Sequence, residues 1–126
     1  MLNVAGPVPI YLYAGIADMR KSFDGLMGLI AQAQIVEMQG VLSGAWFVFR
    51  NRRGDRIKIL YFDRDGLAIW YKRLERGRFQ WPRIEAGQPS VTVDPSQLRL
   101  ILDGIDLHSV RRRRRYHRPV SASPSL

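Results

Sequence analysis

Residues 45–73 read AWFVFRNRRGDRIKILYFDRDGLAIWYKR, and the parsing of this stretch decides the fold. Three runs rich in aromatic and β-branched residues, at 45–51, 56–62 and 67–73, are separated by NRRGD (51–55) and DRDG (63–66). Such runs suit a pleated, half-buried surface, and an Asp-Gly pair between two of them signals a tight hairpin. The stretch therefore reads as an antiparallel meander. Ile57, Ile59 and Tyr61 point one way and Leu60 and Phe62 the other, because side chains alternate along a strand. Both faces are partly apolar, so one faces a helix and the other is covered by another element or left for contact.

Working outward, LERGR (74–78) reads as a turn centred on Gly77, leading to a candidate fourth strand at Phe79–Trp81 that Pro82 stops. Upstream, Ile10–Tyr13 is a short β-type run. From Asp18 a helical period begins, with Met19, Phe23, Leu26, Ile30 and Ala33 on one stripe and Asp18 as the expected N-cap. Gly25 and Gly28 weaken that helix by roughly 1 kcal/mol each relative to alanine, which implies close packing against it. Residues 36–44 read as a loop. Downstream, 83–93 is a loop with one extended piece at Ser90–Val93. Asp94-Pro95-Ser96 then opens a second helix with Leu98, Ile101, Leu102 and Ile105 on its apolar face and Gly104 at its end. The expected class is α+β: a mainly antiparallel sheet, built on a three- to four-strand meander, with two helices. Residues 1–9 form an arm, 10–107 a single domain, and 108–126 a basic tail that is disordered alone, since contiguous like charges repel and bury nothing.

Charge narrows the function. The 126 residues carry 20 Lys and Arg against 11 Asp and Glu, a formal +9. Only Lys21, Lys58 and Lys72 are lysines; the rest is arginine, whose planar fork pairs with phosphate and stacks on bases. Residues 1–110 are net +3 and residues 111–126 net +6, so a mildly basic domain and a strongly basic tail are separate sources. A polyanion is the natural partner, and DNA the expected one.

Catalytic readings find little support. There is no cysteine, which removes disulfides and thiolate chemistry and fits a reducing cytosol. His108 and His117 have no partner at metal-ligand spacing. Asp63 and Asp65 could reach a magnesium ion, but an Asp-rich turn before glycine is far more often just a hairpin. No phosphate-cradling loop or nucleophile elbow is present. The expectation is therefore no enzyme, no cofactor, no metal and no small-molecule substrate. With no secretory signal and no apolar run long enough for a bilayer, a soluble cytoplasmic protein without membrane contact is expected. Arg53-Gly54-Asp55 spells an adhesion tripeptide, but the plain reading is a turn whose glycine takes a positive φ.

Two basic clusters remain. Arg50, Arg52, Arg53 and Arg56 surround the first turn; Lys72, Arg73, Arg76 and Arg78 surround the one after the third strand. Turns two apart in a meander share an end, so these residues could form one patch opposed only by Asp55 and Glu75. The alternative is a solvated hairpin end with weak local ion pairs; the excess of arginine favours the patch. Tyr71, Phe79 and Trp81 beside it could stack on bases, although alternating strand aromatics more often belong to a core. Arg111, Arg112, Arg113, Arg114 and Arg115 in the tail complete the DNA-binding candidates.

Two motifs then carry a resemblance. One is Asp18-Met19-Arg20-Lys21 with Phe23-Asp24-Gly25-Leu26. The other is FVFRNRRGDRIKIL with Tyr61-Phe62-Asp63, Gly66 and KRLERGRFQWP. With Gln97-Leu98 and Leu102-Asp103-Gly104-Ile105-Asp106 closing the order, residues 7–107 resemble the accessory TnpB proteins, encoded by the second reading frame (Orf2-like), of the IS-sixty-six group of bacterial insertion sequences. The resemblance implies a role in transposition beside a separate transposase that carries the strand-transfer chemistry, and it supplies no catalytic residues. Phe62 stands where that family often has tryptophan, and the run of five arginines is longer than the resemblance leads one to expect. Two roles follow: a non-catalytic DNA-binding factor, or a protein–protein adaptor whose basic edge meets the transposase without touching DNA.

Overall fold

The computed structural model describes residues 8–36, 40–41 and 44–104. Five strands, β1 (Ile10–Tyr13), β2 (Trp46–Arg50), β3 (Arg56–Asp63), β4 (Gly66–Arg73) and β5 (Ser90–Val93), form one sheet in the order β4-β3-β2-β1-β5. All pairings are antiparallel except β1–β2, where α1 (Phe23–Ala33) lies in the connection between the parallel strands. The second helix, α2 (Pro95–Asp103), follows β5. This is the expected α+β class, with the meander at β2–β4 and the Ser90–Val93 piece joining the sheet as its far edge.

Side-chain alternation divides the interior into two cores. Ile10, Leu12, Trp46, Val48, Ile57 and Ile59 pack with Phe79 and with Leu98 and Ile101 of α2. On the other face Phe47, Phe49 and Leu60 pack with Ala17 and with Leu26 and Ile30 of α1. The face that the sequence leaves open is thus covered by α2. Strand β2 is buried on both sides, which explains its continuous apolar run WFVF rather than an alternating one.

Local chemistry sets the element ends. Asp94 caps α2 through its side chain, which accepts the Gln97 N–H at 2.8 Å while Gln97 Oε1 accepts the Asp94 N–H at 2.9 Å. This reciprocal pair satisfies two backbone donors that the first turn leaves open. Helix α1 differs from expectation. It starts at Phe23, with Ser22 at the N-cap and no side-chain cap. Asp18 caps nothing; its carboxylate accepts the Arg20 backbone N–H at 2.9 Å and the Arg20 guanidinium at 2.7 Å. A short-range bond of this kind competes with helix, so the chain turns before it coils. Phe23 is consequently the first helical residue and is 40% exposed, not part of the buried stripe. Gly28 has nothing within 4 Å of where its Cβ would lie, and Gly25 faces only the stem of Lys21, so neither glycine marks a close approach by another element.

One more expectation needs correction, and the tight hairpin expected at 63–66 forms with its loop one residue earlier than the Asp-Gly pair suggests. Residues 79–81 do not form a strand. Phe79 donates its N–H to the Gly54 carbonyl at 2.7 Å and inserts its ring into the α2-side core; burial of one anchor, not strand pairing, fixes this segment. In the β3–β4 hairpin the loop is Arg64-Asp65, with Asp63 facing Gly66 in the register. Arg64, at φ 61°, takes the left-handed conformation, and Gly66 is already the first residue of β4.

Candidate nucleic-acid interface

The β2–β3 turn is held as a unit by Asn51. Its N–H donates to the Arg56 carbonyl at 3.2 Å, its Oδ1 accepts the Arg56 N–H at 3.0 Å, and its Nδ2 donates to Asp55 Oδ1 at 2.7 Å. The Asn51 bond, with help from Arg53 and Arg56, lowers the Asp55 pKa. Gly54, at φ 76°, closes the turn in a conformation that disfavours a Cβ. Downstream chain docks on it: Leu74 N–H reaches the Asp55 carbonyl at 2.8 Å and Phe79 N–H the Gly54 carbonyl. Backbone hydrogen bonds thus bring the turn at 51–55 and the segment at 74–79 to the same end of the sheet.

Side chains at this end separate into two groups. Arg52, Arg53, Arg73, Arg76 and Arg78 are exposed and Arg56 is half-buried. Arg52, Arg53 and Arg78 line one hollow of about 330 Å³ with Asp55 and Gly77. Arg56 and Arg73 line a second with Tyr71 and Glu75; there Arg56 donates to the Tyr71 hydroxyl at 3.1 Å, and Arg73 stands 3.6 Å from Glu75 in an exposed pair of little strength. Arg50 and Lys72 belong to the other face. The Arg50 guanidinium lies 4.9 Å from the centroid of Trp81, and burial lowers its pKa. The Lys72 ammonium reaches the Leu102 carbonyl at 3.4 Å, near the C-terminal end of α2, where a cation is favoured by the helix dipole. Arg111–Arg115 lie outside the described residues.

The structure also supplies cations that sequence spacing hides. Because β1 runs parallel to β2, the loop after β1 arrives at this same end, and Ala17 N–H donates to the Arg50 carbonyl at 2.9 Å. A cleft of about 620 Å³ opens between this loop and the first turn, lined by Arg20, Arg52, Arg53 and Arg56 together with Asp18 and Asp55. Arg20 could be placed there only by knowing the β1–β2 pairing. Lys58 is a second omission. It is buried in β3, donates to the Lys21 carbonyl at 2.7 Å and lies 4.9 Å from the Tyr71 ring centroid. Of the three aromatics read beside the patch, Phe79 is core, Trp81 packs beneath Arg50, and Tyr71 is 47% exposed.

The Asp18–Arg20 contact gives a titration test. The Arg20 guanidinium and N–H hold the Asp18 carboxyl at about 2, below its ordinary 3.8. A depressed carboxylate pKa stabilises the fold above the unfolded value and loses that contribution as pH falls through the folded one. The loop should therefore loosen between about pH 4 and pH 2. In Arg20→Ala, carboxyl NMR titration should return Asp18 toward the ordinary carboxylate range; an unmoved midpoint contradicts the assignment.

No group of three or more His, Cys, Asp or Glu is placed to hold a metal ion among the described residues, and no helix among them is long and apolar enough to cross a membrane. No solved structure matches the chain. Two proteins of Sinorhizobium fredii (strain NBRC 101917 / NGR234) are similar to it. Uncharacterized protein y4hO is 38% identical over 106 residues, covering 84% of this chain and 88% of that protein. Uncharacterized protein y4jC is 31% identical over 96 residues, 76% of this chain and 78% of that protein. A family profile described as IS66 Orf2 like protein matches residues 8–112, nearly the whole span over which the sequence motifs run. The chain belongs to the IS66 Orf2-like family, which associates it with the transposition of insertion sequences.

Proposed function

We infer that the chain is a non-catalytic DNA-binding accessory factor that acts beside the transposase of its element, with the arginine-lined end of the sheet meeting the phosphate backbone. The observation that carries this reading is the convergence of Arg20, Arg52, Arg53 and Arg56 on one cleft, continued by Arg73 and Arg78 in the adjoining hollows. Among the described residues lining these hollows, only Asp18, Asp55 and Glu75 oppose them. Each carboxylate already has a short-range partner, in Arg20, Asn51 and Arg73 respectively, so the surplus cations are left to an external anion. Rigid backbone bonds at 51–56 and 74–79 hold this surface in one shape, as a fixed register on a duplex requires.

A second reading, the adaptor, draws on a different observation. Ile16, 42% exposed, lines the same cleft, and Phe23 is 40% exposed two residues beyond Lys21. Apolar surface beside arginine suits a protein partner, here an acidic face of the transposase, better than a phosphate backbone. Titrating the purified chain with duplex DNA alone separates the two. DNA binding predicts a log affinity that falls linearly with log salt, by about 0.9 for each phosphate engaged. Absence of duplex binding at low salt, together with capture of the transposase, puts the adaptor reading first.

A further inference from the structure

Strand β4 lies at one edge of the sheet. Its register with β3 sets Asp63 against Gly66, and the Leu74 N–H donates to the Asp55 carbonyl at the other end of the same ladder. Because the bonding direction alternates in an antiparallel pair, Gly66, Ala68, Trp70 and Lys72 turn their backbone groups into β3. Leu67, Ile69, Tyr71 and Arg73 turn theirs outward. Among the described residues these outward groups have no backbone partner. The opposite edge, β5, is only four residues long, whereas β4 has eight. Long edges of monomeric proteins are usually blunted by charge, proline or a bulge. From Gly66 to Tyr71, β4 carries no charge and no proline, and its side chains are half-buried or exposed.

The charges at the two ends of the strand choose the occupant. The hairpin tip carries exposed Asp63, Arg64 and Asp65, a net negative charge, and the opposite end carries exposed Arg73 in a weak pair with Glu75. We propose that two copies of the chain join antiparallel through β4, in the register that sets Ile69 opposite the partner's Ile69. Leu67 then faces the partner's Tyr71 on the α1 side, and Ala68 faces the partner's Trp70 on the α2 side, small against large. Asp65 faces the partner's Arg73 at both ends. A parallel arrangement would instead stack Arg73 beside the partner's Arg73, and like charges directly opposite destabilise a sheet. The outcome is a continuous ten-strand sheet with a twofold axis through its centre. Antiparallel joining turns the two arginine-lined ends in opposite directions, so the dimer presents two separate basic surfaces instead of one enlarged patch.

Sedimentation equilibrium of the full chain without DNA tests this. Wild type should show a concentration-dependent monomer–dimer equilibrium. Asp65→Arg, in an exposed turn, should weaken the dimer about tenfold, because both cross-strand ion pairs become repulsive. Adding Arg73→Asp should restore it, since the swap re-creates opposite charges. Independently of any variant, the Leu67, Ile69 and Tyr71 amides should exchange hydrogen more slowly above the dimerisation concentration than below it. A monomer at every concentration overturns the proposal. So does a dimer indifferent to Asp65→Arg, a double variant as weak as the single, or unchanged exchange at those three amides.

Discussion

Replacing Phe49 by alanine should cost the fold about 3–5 kcal/mol, read as a lower urea midpoint at unchanged slope. Phe49 is fully buried at the end of β2, its ring centroid 5.4 Å from that of Tyr13 and tilted 48° to it. It packs in the α1-side core with Phe47 and Leu60. Truncation there removes apolar area and leaves a cavity between strands that already pair on both sides, so the surroundings have little freedom to collapse. Domains of this size are stable by only about 5–15 kcal/mol in total, and the variant should be substantially unfolded at moderate denaturant. Phe23→Ala should by contrast cost no more than about 1 kcal/mol, because Phe23 is 40% exposed and belongs to neither buried core. Equal losses at the two phenylalanines would place Phe23 in the core after all.

That contrast shows where the sequence is legible. The meander could be parsed because its strands carry strong β-type residues and its turns carry glycine, and these local signals agree. Helix α2 is equally readable, as Asp94, Pro95 and Gly104 each do the job their positions suggest. Helix α1 was placed early because Met19 and Phe23 match the helical period, yet Asp18 spends its carboxylate on Arg20. Periodicity reports which residues could share a face, not where coiling starts. The extra strand proposed at Phe79–Trp81 failed for a related reason: two aromatics at alternate positions satisfy a strand pattern and equally a segment anchored by its side chains.

The basic end was half legible. Counting turns in a meander brings residues 52–53 and 73–78 together, because that inference needs only sequential strands. Arg20 needs β1 beside β2, a parallel pairing across α1 that no local signal announces. The inward turn of Arg50 and Lys72 likewise depends on which face Trp81 and α2 cover. Both lie in runs of cations whose members look interchangeable until the sheet assigns alternate side chains to opposite sides.

The same assignment separates the folded end from the tail in function. Arg52→Ala, Arg53→Ala and Arg78→Ala together remove the cations around one hollow without touching the Asn51 bonds or the Gly54 and Asp55 carbonyls that hold it. If each engages a phosphate, the slope of log affinity against log salt should become shallower by about 2.7, and duplex affinity at 0.1 M salt should fall about 10²–10³-fold. Deleting residues 111–126 removes six arginines, five of them consecutive, and should also flatten the slope. The two losses differ in kind. A rigid surface positions the protein relative to base edges, whereas a basic segment without a fixed shape meets any phosphate alike. The triple variant should therefore lose whatever preference the chain has for element-end DNA over scrambled duplex, and the truncated chain should weaken on both duplexes by the same factor. Competition titration with the two duplexes across a salt series reads both quantities at once. Preference lost on truncation but retained in the triple variant would transfer recognition to the tail and leave the folded end a neutral scaffold.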